Sequence, residues 1–166
     1  PAIADGKGVI AKESALADTT EKTPLVSFKN VSFRYPNTSG SPVLHDINLD
    51  VMRGETVAVI GATGAGKSSL VSLIPRFYDT TDGEVLFDGV PVKQYRLEEL
   101  RSKIGYIMQK SELFSDTIKG NIRWGKPDAT DREVEAAAVI AQADGFIRGF
   151  NDGYDTFISE KGASLS

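Results

Sequence analysis

"GATGAGKSS", residues 61–69, decides how this chain is read. Its spacing is G-x-x-x-x-G-K-[S/T], and each position has a physical task. Gly61, Gly64 and Gly66 permit backbone conformations that a side chain forbids, so successive N–H groups can turn inward onto an anion. Lys67 adds a full positive charge near the terminal phosphates of such an anion. Ser68 offers a hydroxyl to Mg²⁺, an ion that keeps most of its water and takes few protein ligands. The helix that follows points its N-terminus at the same anion. A glycine-rich turn could match by accident, and context argues against that: a buried strand precedes the loop and a helical pattern follows it.

Working outward, "TVAVI", residues 56–60, is a continuous apolar run, as expected for a strand buried on both faces. After the loop, Leu70, Val71, Leu73, Ile74 and Phe77 give a helical face that Pro75 should kink or end. Upstream, "LVSFKNVSFRYP" alternates Val26/Phe28 and then Val31/Phe33/Tyr35, the frame slipping near Asn30, which predicts two strand runs with a bulge or turn between them. "HDINLDV" alternates Ile47, Leu49 and Val51 with Asp46, Asn48 and Asp50, the half-wet pattern of antiparallel strands. Downstream, "GEVLFDGVPV" reads as a hairpin about Asp88-Gly89. "LEELRSK" reads as a short polar helix and "IGYIM" as another buried strand. "TDREVEAAAVIAQA" begins with a capping box, Thr130 and Glu133, and continues with Val134, Ala138 and Ala141 on one face. Strand and helix in alternation predict an α/β core. The antiparallel opening and a mostly helical stretch from about 111 to 150 are additions to it.

Composition narrows the functional classes. The net charge is −4, so no basic field advertises a nucleic-acid partner. The absence of Cys excludes disulfides and thiolate metal sites. No apolar stretch is long enough to span a bilayer, and the opening residues are not read as a signal peptide. Residues 1–24 carry no aromatic and no apolar periodicity and read as a linker. "VLFD", residues 85–88, imitates an apolar strand ending in a Mg²⁺-holding Asp. Gly89, Val90 and Pro91 follow it, however, so Asp88 is read as a turn residue. His45, the only His, is read as an exposed strand-edge residue, and Trp124 as a packing or interface aromatic.

In order, these pieces resemble the nucleotide-binding domain of an ABC transporter, especially an exporter. "FRYP" is similar to the family's aromatic loop, which implies that Tyr35 stacks on adenine. "GATGAGKSS" is similar to its phosphate loop, implying that Gly61, Ala62, Thr63, Gly64, Ala65, Gly66, Lys67, Ser68 and Ser69 bind ATP. "GYIMQKSELFSDTIKGNI" resembles its glutamine loop, where Gln109 would reach Mg²⁺ and the attacking water. The resemblance thus gives catalytic roles to Lys67 and Gln109, and Mg²⁺ to Ser68 and Gln109. "LFSDTIKGNIRWG" resembles exporters, where this region meets the transmembrane helices. "GYDTFISEKGASLS" resembles the approach to the signature L-S-G-G-Q, with Leu165 and Ser166 as its first two letters and Glu160 in a loop facing the membrane domain.

The implied fold is α/β: a P-loop NTPase core with an antiparallel β subdomain and a helical subdomain, the C-terminal part of the domain lying beyond residue 166. The implied organisation is a linker from a transmembrane domain over 1–24, then the first two-thirds of a nucleotide-binding domain over 25–166. Within that, 25–54 is the antiparallel part, 55–110 the P-loop core and 111–166 the helical subdomain. The implied function is binding and hydrolysis of ATP, with Mg²⁺, to drive export at the cytoplasmic face of a membrane. Implied partners are a second nucleotide-binding domain and a transmembrane domain, the latter through Gln109–Trp124 and Glu160; no nucleic acid is implied. By itself the chain is expected to bind Mg·ATP and hardly turn it over. A degenerate, ATP-gated clamp of a two-chain exporter is the alternative, and a soluble ABC-type ATPase would lack "LFSDTIKGNIRWG".

Overall fold

The computed structural model describes residues 3–4, 8–13, 23–110 and 112–159. The chain divides into two units, Pro1–Tyr106 and Ile107–Ser166. In the first, the strands are β1 (Ile3–Ala4), β2 (Gly8–Glu13), β3 (Val26–Phe33), β4 (Leu44–Val51) and β5 (Thr56–Gly61). Helix α1 (Lys67–Leu73), strands β6 (Asp82–Phe87) and β7 (Val90–Pro91) and helix α2 (Leu97–Ser102) follow. One sheet has the order β4-β3-β6-β7 and the other β1-β2-β5, with every pairing antiparallel.

The frame slip in the sequence is a β-bulge. Register with β4 shifts between Phe28 and Val31, and Asn30 sits at φ 49°. Its backbone N–H, lost to the ladder, donates to the Asn48 side chain at 2.9 Å, and its amide donates to Asp46 at 2.9 Å. The extra residue brings Val26 and Phe28 and also Val31 and Phe33 onto one face. These four join Ile47, Leu49, Leu70, Leu73, Val85 and Leu100 in a single apolar core. The β6–β7 hairpin turns on Asp88 at φ 53° and Gly89 at φ 76°, the two positive angles that such a two-residue turn requires. Asp88 accepts from Arg53 at 2.6 Å. His45 is exposed on β4, at the edge of its sheet.

Helix α1 stops at Leu73, before Pro75. Its buried face is Ser69, Leu70, Ser72 and Leu73, whereas Val71 and Phe77, expected on that face, are exposed. Three further expectations are corrected. Strand β5 is not buried on both faces: Val57 and Val59 pack against the core, but Ile60 is 59% exposed. "IGYIM" forms no strand, and Ile107 is 95% exposed. A strand exists only through a ladder partner, and among the described residues the partner of β5 is β2. Gly8–Glu13 therefore departs from the linker reading of 1–24, for it pairs along all six residues of β5. The two-residue strand β1, pairing with β2, departs from it as well.

In the second unit, β8 (Asp116–Thr117) pairs antiparallel with β9 (Phe157–Ile158), and helices α3 (Ile118–Arg123), α4 (Asp131–Ile140) and α5 (Asp144–Ile147) lie between them in sequence. Ile118, Ala138, Ile147 and Ile158 form its core. Val134 is buried too, while Ala141 lies past the end of α4 and is exposed. The capping box is formed as the sequence predicts, with Thr130 accepting from the Glu133 N–H and Glu133 accepting from the Thr130 N–H at 2.8 Å. Thr130→Ala is expected to lower unfolding stability by about 1 kcal/mol, read from urea midpoints.

The Lys126 ammonium, followed by the Thr130 N–H and hydroxyl, holds the Glu133 carboxyl down from the usual 4.5 to about 2. A depressed carboxyl stabilises the fold fully above its unfolded value and loses that contribution as pH falls toward its folded one. Stability should therefore fall between pH 4.5 and about 2. Added salt should shrink this component, because the pair is exposed, and Glu133→Gln should flatten it in acid unfolding curves. An unchanged acid limb in that variant would remove Glu133 from the account.

Candidate nucleotide site

Strand β5 delivers the chain into the loop at Gly61, and α1 takes it away at Lys67. Gly64 at φ 83° and Gly66 at φ 86° adopt the left-handed conformation their lack of a side chain allows. At Gly66 space matters as well: a Cβ there would stand 2.8 Å from Leu44 Cδ2 and 3.0 Å from the Val43 carbonyl. At Gly64 a Cβ would meet nothing within 4 Å, so the backbone angle alone demands glycine. Ala62, Thr63 and Gly64 are exposed, Ala65 is half-buried, and the loop is closed by Ala65 N–H donating to the Ala62 carbonyl at 3.2 Å.

Lys67 lies over the loop. Its Nζ donates to the Gly61 carbonyl at 2.7 Å and to the Ala62 carbonyl at 2.8 Å, which holds the ammonium at the loop's entrance. Ser68 is exposed beside it. Ser69 is buried, and its hydroxyl lies 2.8 Å from the Tyr35 hydroxyl. Tyr35 follows β3 and is half-buried, edge-on to Phe33 at 4.9 Å and to Tyr78 at 5.2 Å between centroids.

The sequence-predicted residues Tyr35 and 61–69 thus meet in one place. Gln109 belongs to the second unit, where it is exposed in a segment without regular structure. Glu160, Leu165 and Ser166 lie outside the described residues. Tyr78 was not singled out by the sequence; the only signal was an aromatic in "RFYD", just past the helix-ending Pro75, with no periodic position to explain it. Asp88, tied to Arg53, is a turn residue as read. A polar cavity of about 420 Å³ in the second unit, lined by Lys119, Glu135, Arg148 and Tyr154 among others, holds charges already paired with one another.

Strand, glycine-rich loop and helix in succession are the frame of a P-loop, and likeness to known proteins gives the class, an α/β P-loop nucleotide-binding domain. A family model described as "ABC transporter" matches residues 44–166, and the chain belongs to that family. Over 141 residues it is 50% identical to YgaD of Bacillus subtilis (strain 168), a protein named for multidrug export as an ATP-binding/permease protein; the match covers 85% of this chain and 24% of that one. A Staphylococcus aureus (strain COL) protein named in the same way is 49% identical over the same length, with the same coverage. The chain thus spans about a quarter of the length of these curated relatives. Among solved structures, a bacterial Atm1-family ABC exporter with ATP bound matches with a TM-score of 0.75 at 35% identity, covering 87% of this chain and 25% of that chain.

Proposed function

We propose that this chain carries the ATP-engaging part of an exporter in which binding and hydrolysis of ATP drive a substrate across a membrane. The observation that carries the reading is the meeting of two elements: Tyr35 is joined by its hydroxyl to the first turn of the helix that leaves the 61–69 loop. An aromatic for a base and a cradle for phosphates then stand side by side. The loop N–H groups receive phosphate oxygens, Lys67 supplies charge to the terminal ones, and Tyr35 stacks on the base.

The donor set fits Mg²⁺ carried on a nucleotide, since Ser68 presents an exposed hydroxyl and such an ion takes few protein ligands. When bound, the ion neutralises charge on the phosphate oxygens. Gln109, which the resemblance links to Mg²⁺ and the attacking water, completes the proposed set. A second nucleotide-binding domain and a transmembrane domain are the proposed partners, at the cytoplasmic face of a membrane. Support for the membrane-domain contact comes from Phe114 and Trp124, which stack at 4.2 Å while remaining 48% and 63% exposed. Charge-poor aromatic surface of this kind is enriched at interfaces. No helix among the described residues is long and apolar enough to cross a membrane. No observation favours the gated-clamp alternative.

The test pairs two ligands. Tyr35→Ala is expected to weaken Mg·ATP about tenfold, the scale of one base–aromatic stack. Binding of Mg·tripolyphosphate, which has no base, should not change. Equal affinity of both proteins for Mg·ATP would overturn the role given to Tyr35.

A further inference from the structure

Ser69 stands in the phosphate-loop motif, yet its side chain is turned away from solvent. The residue is 5% exposed, and its hydroxyl has the Tyr35 hydroxyl as its partner at 2.8 Å. Its carbonyl accepts from the Ser72 hydroxyl at 2.7 Å, which fixes the turn that presents Ser69. Tyr35 is gripped on other sides too. Thr38 Oγ1 donates to its carbonyl at 2.7 Å, and Phe33 and Tyr78 meet its ring edge-on. Those contacts hold the edges of the ring and its backbone. The hydroxyl is the far end of the side chain, so a hydrogen bond there adds a further restraint on the ring's orientation. Each hydroxyl can donate or accept, so either one can supply the proton of this bond.

We propose that Ser69 is a positioning residue that acts through Tyr35, holding the aromatic ring beside the loop before nucleotide arrives. The inference rests on the nucleotide reading above and deepens it. A ring already placed costs less to order on binding, so the benefit appears as affinity for ligands that carry a base. A direct phosphate contact by the Ser69 side chain, which the sequence motif suggests, would instead affect every polyphosphate alike.

The experiment is a calorimetric titration of the 166-residue chain with Mg·ATP and separately with Mg·tripolyphosphate. Ser69→Ala should weaken Mg·ATP about three- to tenfold, the worth of one hydroxyl hydrogen bond, and leave Mg·tripolyphosphate unchanged. Tyr35→Phe keeps the ring and removes the bond, so it should show the same loss. The double variant should be no worse than either single one, and Ser69→Thr should recover the affinity. Equal loss for both ligands would overturn the proposal and make Ser69 a phosphate contact, and undiminished Mg·ATP binding by Ser69→Ala or Tyr35→Phe would overturn it outright. Should Ser69→Ala fail to fold, Tyr35→Phe decides alone. The two levels fail separately: if Tyr35→Ala weakens Mg·ATP and Tyr35→Phe does not, the nucleotide reading stands and only the positioning role falls.

Discussion

Lys67→Ala is expected to weaken Mg·ATP binding by about 10- to 100-fold, the range of one or two charge-assisted hydrogen bonds. The ammonium already sits at the entrance of the loop, on the Gly61 and Ala62 carbonyls, so little reorganisation separates it from a phosphate oxygen. Unlike Tyr35→Ala, this substitution should reduce Mg·ATP and Mg·tripolyphosphate together, because Lys67 faces what the two ligands share. The fold should tolerate the change. Lys67 is half-buried, no core contact depends on it, and of the two carbonyls it leaves, one belongs to exposed Ala62 and the other to half-buried Gly61. A drop in affinity with an unchanged unfolding temperature is the expected pairing. Unchanged affinity would show that the 61–69 loop does not hold phosphates.

Gly83→Ala should be the most damaging single methyl in the first unit. Gly83 is the second residue of β6, opposite the bulge of β3, at φ 68°. A Cβ there would lie 2.3 Å from the Asn30 carbonyl oxygen and 2.4 Å from that of Lys29. Both obstacles are main chain, so no side chain can swing aside. The left-handed angle costs about 1–2 kcal/mol and the overlap about 1–3 kcal/mol more, so a loss of about 3 kcal/mol is expected. Gly64→Ala is the control: it has a similar angle, φ 83°, but open space around it. It should incur the conformational cost alone. Urea midpoints of the two variants separate the contributions, and a Gly83→Ala loss no larger than that of Gly64→Ala would contradict the close approach.

What the sequence revealed was what neighbouring residues decide among themselves. The Asn30 slip, the Asp88-Gly89 turn, the Thr130–Glu133 box and the stop before Pro75 each depend on a few adjacent residues, and each is formed. The phosphate loop was legible for the same reason, since its glycines act on their own backbone. Pairing across the chain was not. An apolar run such as 104–108 says that its side chains avoid water, but not which strand will accept its hydrogen bonds. Gly8–Glu13 was missed in the opposite sense, because "GVIAKE" lacks alternation yet finds a ladder on β5. The contact of Ser69 with Tyr35 joins residues far apart in the chain, and only the fold of β3 against α1 brings them together. For Gln109 the motif gave an expectation, and its exposed place in the second unit leaves the role as a proposal.

The most direct test of the central claim is a calorimetric titration of the unsubstituted chain with Mg·ATP, with Mg·tripolyphosphate added as a competitor. The account predicts saturable binding at one site, displaced by the base-free competitor because both ligands occupy the same loop. Heats of dilution alone would contradict it, and so would ATP binding that tripolyphosphate cannot displace.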